Sequence, residues 1–108
     1  MNKEALHSLF KDYTELQEKI LLSKGDDYSN TDRLSNFKNT ANILNISPQL
    51  AALTLIATKV SRISNLLNSN TIPNNESLQD SILDLSNYSF LLYALNYDNS
   101  KQSALPES

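Results

Sequence analysis

Residues 47–67 read SPQLAALTLIATKVSRISNLL. Ala52, Leu55, Ile56, Ile63 and Leu66 recur at spacings of three, four and seven, the period of one helix face; a half-buried strand would alternate at two. Ser47 brings a hydroxyl that accepts from the first turn. Pro48 falls at the first helical position, where its missing N–H loses no hydrogen bond. One long helix is therefore predicted from Pro48 to about Leu67.

The same period extends outward on both sides. The 108-residue chain has only one glycine and three prolines, so few breakers interrupt it and the fold class predicted is all-α. A first helix is expected from about Lys3 to Ser23. Its stripe is Leu6, Phe10, Tyr13, Gln17 and Ile20, widened by Leu9 and Leu16. Gly25 is expected to end it as a left-handed cap, with the polar run SKGDDYSNTD as a loop. A shorter helix should cover DRLSNFKNTANIL, residues 32–44, with Thr31 or Asp32 as N-cap. After the turn NSNTIPNN, a fourth helix should start beyond Asn75 and reach about Tyr97. The tail DNSKQSALPES, residues 98–108, has little to bury and is predicted to be flexible. With no internal repeat, the expectation is a single domain over 1–97, a compact four-helix bundle.

Composition narrows the function classes. The net charge of −3 and pI near 4.9 argue against binding long nucleic acid, which needs a basic stripe to neutralise phosphates. A small anion needs only a local pair of cations. Without cysteine there is no disulfide or thiolate metal site, and the single His7 argues against a histidine-rich zinc site or a Ser-His-Asp triad. MNKEALHSLFKDY lacks the long apolar core of a signal peptide, and no uninterrupted apolar run reaches the roughly 18 residues that cross a bilayer. A cytoplasmic protein with no membrane partner is expected.

Two charged groups fall where solvent-facing residues would not be expected. On a wheel at about 100° per residue, Lys59 and Arg62 lie on the apolar stripe of the third helix, among Ala52, Leu55, Ile56, Ile63 and Leu66. Its opposite side carries Thr54, Ser61, Ser64, Asn65 and Asn68 and no charge. In the fourth helix, NESLQDSILDLSNY, residues 75–88, puts Glu76, Asp80, Asp84 and Asn87 within about 80° of one another. Leu83, Phe90 and Leu91 edge that sector, while Leu78, Ile82, Leu85 and Leu92 fill the other side. Like charges four residues apart weaken a helix by about 0.2–0.5 kcal/mol per pair, so the arrangement asks for a cationic or metal partner. Several readings fit. Long cationic stems cover a core while their heads reach water, and acidic residues in a first turn favour the helix dipole. Lys59 and Arg62 set against Asp80 and Asp84 would form a structural ion-pair cluster. A mixed-charge pocket for a phosphorylated ligand satisfies the same charges.

KGDDYSNTDRLSNFK, IATKVSRISNLL and NESLQDSILDLSNY, taken together, resemble the phage-associated nucleotide-modification domain related to the MazG-like all-alpha nucleoside triphosphate pyrophosphatases. The resemblance spans roughly residues 20–95. Lys24, Asp27 and Tyr28 match its first motif, and Arg33, Asn36 and Phe37 its second. Lys59 and Arg62 match the third, and Glu76, Asp80, Asp84, Asn87 and Tyr88 the last. The resemblance implies a helical bundle, a homo-oligomer, with a nucleotide pocket between helices. In the catalytic members, acidic pairs hold Mg²⁺ that activates water against the phosphate chain. This chain departs from them on the third helix, where Lys59 and Arg62 stand in place of a Glu-x-x-Glu pair. Glu15 and Glu18 form such a pair on the first helix, at a position that does not match.

Cations bind phosphate without a mediating metal, so the leading expectation is a nucleotide-binding protein without turnover and without a catalytic residue. Lys24, Arg33, Lys59 and Arg62 would hold phosphates. Tyr28, Phe37 or Tyr88 would stack on a base, and Asn36 or Asn87 would read its edge; each aromatic has a core role as its alternative. In the phage context of the family, such a protein would serve as a sponge for a host defence nucleotide. The alternative is a Mg²⁺-dependent nucleotide pyrophosphohydrolase or nucleotide-modification accessory enzyme, with Glu76, Asp80 and Asp84 as metal ligands. A third reading is a helical protein-interaction module whose charges pair internally.

Overall fold

A computed structural model describes residues 1–26, 34–69 and 75–104, with side chains for 1–23, 34–69 and 77–99. The described residues form four helices and no strand: α1 (Lys3–Asp26), α2 (Ser35–Leu44), α3 (Pro48–Asn68) and α4 (Asn75–Ala104). The fold is all-α, as the periodicity predicts. The chain divides into two compact units, Met1–Arg33 and Leu34–Ser108.

The first unit carries α1. Asn2 opens it: its Oδ1 accepts from the Ala5 N–H at 2.8 Å and its carbonyl from Leu6 at 3.0 Å. The first bond satisfies one of the donors that a helix start leaves unpaired, and the second opens the ladder of the helix itself. Tyr13, Gln17 and Ile20 of the anticipated stripe are half-buried, whereas Leu6, Leu9, Phe10 and Leu16 are exposed. Gly25 does not end the helix, which runs through it to Asp26. A glycine inside a helix costs about 1 kcal/mol relative to alanine, which neighbouring turns can absorb, so glycine alone is no stop.

In the second unit α2 packs against α3, and α3 against α4. Ser35 begins α2 later than anticipated, after Leu34, which offers no side-chain cap; Thr31 and Asp32 lie outside the described residues. Asn45 ends α2 in the left-handed region at φ 57° and ψ 47°, and the Ile46 N–H closes onto the Ala41 carbonyl at 3.0 Å. Asparagine tolerates this conformation better than other residues with a Cβ. Two residues on, Ser47 caps α3 as its hydroxyl suggests, Oγ accepting from the Leu50 N–H at 3.1 Å, with Pro48 in the first turn.

The core of this unit is small-waisted. Ala51 and Ala52 on α3 let α2 and α4 approach closely, and Phe37 and Ala41 from α2 and Leu83, Leu91 and Leu95 from α4 fill the contact. Ile56, Ile63 and Leu66 are half-buried on the anticipated stripe of α3, but Leu55 is exposed. On the opposite side, the Thr54 and Thr58 hydroxyls donate back to the Ala51 and Thr54 carbonyls, at 2.6 and 2.9 Å. Instead of stopping near Tyr97, α4 continues to Ala104. Asp98, the first residue past the anticipated end, accepts from Lys38 Nζ of α2 at 3.2 Å. By length and composition, α3 is apolar enough to cross a membrane, with mean hydropathy 1.3. A reading that counts only uninterrupted apolar runs misses this, because Thr54, Thr58, Lys59, Ser61 and Arg62 each break the run while the alanines, leucines and isoleucines between them keep the average positive.

Candidate functional site

The cations of α3 and the polar side of α4 meet along one antiparallel contact. Lys59 Nζ lies 3.1 Å from Asp84 Oδ2, with 23% and 22% of the two side chains exposed. One turn further along α3, Arg62 Nε donates to Ser81 Oγ at 3.2 Å. As α3 advances by three residues, α4 retreats by three, so the two contacts share one register. Ser81 is buried at 2% exposure, and only its hydroxyl reconciles that position with a guanidinium beside it. Arg62 itself remains exposed, with Nε bonded to Ser81. The fork geometry of a guanidinium suits phosphate and carboxylate oxygens.

Carried one turn along α4, the same register brings Asn87 to the level of Leu55 and Ile56 of α3, where α3 has no polar side chain. Asn87 is buried at 4% exposure, and neither its Oδ1 nor its Nδ2 has a hydrogen-bond partner. Leaving a buried polar atom unpaired costs about 1–3 kcal/mol. Ser81, Asp84 and Asn87 thus form a polar ladder on the buried side of α4, two rungs matched from α3 and the third unmatched. An open groove runs beside Arg62 along α3, lined by Ala57, Thr58, Ser61, Asn65 and Leu66.

The anticipated site residues divide as follows. Lys59, Arg62, Asp84 and Asn87 come together at the α3–α4 contact, and Tyr88 is half-buried on α4 beside Asn87. The pairing of Arg62 with an aspartate is corrected. Its partner is Ser81, and Asp80 is exposed with no ion pair among the described residues. Phe37 lies in the core at 8% exposure, which is the core alternative for that ring rather than a stacking platform. Asn36 is exposed on α2. Lys24 is in the last turn of α1 and Glu76 in the first turn of α4, but their side chains, like all of Asp27, Tyr28 and Arg33, lie outside the described residues. Among the described residues no group of three metal-ligating side chains stands together. Ser81 is the residue that sequence reasoning missed. Its signal was the spacing of three to Asp84, which places a small hydroxyl on the same side of the helix.

In comparisons with family models, curated proteins and solved structures, nothing matched the chain.

Proposed function

We propose that this chain is a cytoplasmic, phage-type nucleotide-binding protein, MazG-like in fold, that holds its ligand at the α3–α4 contact without turning it over. The observation that carries the reading is the pair of cations one turn apart on α3, each already oriented by α4. Lys59 is steered by Asp84, and Arg62, an exposed residue, is held through Nε by Ser81. An anion entering there meets donors whose side-chain entropy is already partly lost, which lowers the cost of binding. A ligand held without hydrolysis fits a sponge that removes a signalling nucleotide from a host defence pathway.

The same geometry disfavours the metal-dependent alternative. Mg²⁺ needs carboxylate oxygens free to reach it in octahedral geometry, and the Asp84 carboxylate already faces the Lys59 ammonium. Asp84 therefore fits a Mg²⁺ centre poorly, and Asp80 is exposed and belongs to no group of three metal-ligating side chains among the described residues. The charges of α3 also support a water-soluble chain despite its apolar average, because ionised Lys59 and Arg62 would be costly in hydrocarbon.

The test is to equilibrate purified protein with a panel of mono-, di-, tri- and cyclic nucleotides, with and without Mg²⁺, then denature it and identify what is released. Intact nucleotide after tight binding is expected, unchanged by EDTA. Cleaved products would replace this reading with the hydrolase, and no binding would leave the interaction module. Arg62→Ala and Lys59→Ala should each weaken binding at least tenfold, about 1.4 kcal/mol, with helical circular dichroism retained.

A further inference from the structure

The third rung of the ladder is chemically different from the other two. Ser81 and Asp84 each meet a cation of α3, so both lower rungs of the ladder have a partner. Asn87 is neutral, 4% exposed, and carries one unpaired acceptor and one unpaired donor side by side. A buried carboxamide in this condition is complementary to one kind of group, a planar edge that offers an adjacent donor and acceptor. Every nucleobase has such an edge, as does any cyclic amide or amidine, and asparagine pairs with adenine in this bidentate way. Along the helix Asn87 is three residues from Asp84, a rise of about 4.5 Å. A ligand spanning both would place an anionic group by Lys59 and Arg62 and a planar heterocycle one turn further on. At the level of Asn87 the α3 side chains are Leu55 and Ile56, so admitting a ring there parts an apolar contact and breaks no ion pair.

We infer that Asn87 is the specificity-determining residue of this site, selecting ligands whose anionic group is joined to a nucleobase-like ring over those with the phosphate alone. The inference rests on the nucleotide-binding reading above and adds what that reading leaves open, which part of the ligand is recognised besides its charge. The rival role for a buried asparagine is to fix helix register. A register residue would not alter the ratio of affinities for two soluble ligands.

The experiment compares ribose 5-phosphate, AMP and UMP by titration calorimetry against the full chain and against Asn87→Leu. The wild-type chain should bind at least one of the two nucleotides tenfold or more tighter than ribose 5-phosphate. Asn87→Leu, with a Tm equal to or above that of wild type, should bring this ratio below threefold. Retention of the ratio in Asn87→Leu overturns the inference and leaves nucleotide binding standing, as does equal wild-type affinity for all three ligands. Failure of the wild type to bind any nucleotide overturns both. Should Asn87→Leu fail to fold, Asn87→Asp answers the same question at nearly constant size. It replaces the donor by an acceptor, and the same collapse of the ratio is expected.

Discussion

Lys59 and Asp84 meet with about a fifth of each side chain exposed, between the surface regime, where ion pairs contribute about 0–1 kcal/mol, and the buried one, where stranding a charge costs several. A double-mutant cycle with Lys59→Ala and Asp84→Ala in urea should return a coupling energy of about 1 kcal/mol. A value indistinguishable from zero would reduce the contact to a coincidence of two mobile side chains. The wheel of α3 placed Lys59 and Arg62 toward α4 correctly, because angular position depends only on local helix geometry. It misassigned the partner of Arg62, because a wheel contains no axial register. With Lys59 opposite Asp84, an antiparallel neighbour brings residue 81 opposite residue 62, and Asp80 sits about 100° further round the helix. Asn87 was legible as a polar residue on that side of α4. That both of its amide atoms lack partners depends on what α3 presents at the same level.

The helix ends separate local from long-range causes. Ser47 and Pro48 start α3 as their side chains dictate, since a cap is completed within three residues. Asn45 acts equally locally: Asn45→Ala should destabilise the second unit by about 1 kcal/mol, because alanine resists the left-handed region. Asn45→Gly should lose only a few tenths or gain slightly. Paired urea denaturations check both, and equal losses for the two substitutions would contradict the left-handed assignment. By contrast, the run of α4 to Ala104 was not legible, since Asn96, Tyr97, Asp98, Asn99 and Ser100 are consecutive weak helix formers. Its Asp98 is fixed by Lys38, 60 residues earlier in the chain. A contact of that separation lies outside any window used to read periodicity.

At the scale of the whole molecule, no large side chain among the described residues is fully buried, and Leu53, Val60, Leu67, Tyr93 and Tyr97 are about half exposed or more. On α3, Leu53, Val60 and Leu67 repeat every seven residues, the spacing of a helix–helix seam. Phe90 and Tyr93 on α4 stack with ring centroids 6.5 Å apart. Solvated apolar and aromatic side chains in such numbers favour self-association, since about 25 cal/mol is recovered for each Å² removed from water. The chain is expected to sediment as a homo-oligomer at micromolar concentration, and Val60→Glu should shift it toward monomer. A monomer at every concentration in analytical ultracentrifugation would overturn this. The sequence by itself determined the all-α class, the order of the four helices, the cap of α3 and the side of α3 that carries its cations. All of these follow from bonds and side-chain directions fixed within one or two turns. Only the tertiary structure decided that Arg62 meets Ser81, that Asp80 stays in solvent and that Asn87 is buried without a partner. The axial register that decides them is set by how alanines and leucines on separate helices pack, a property of pairs of residues far apart in the chain.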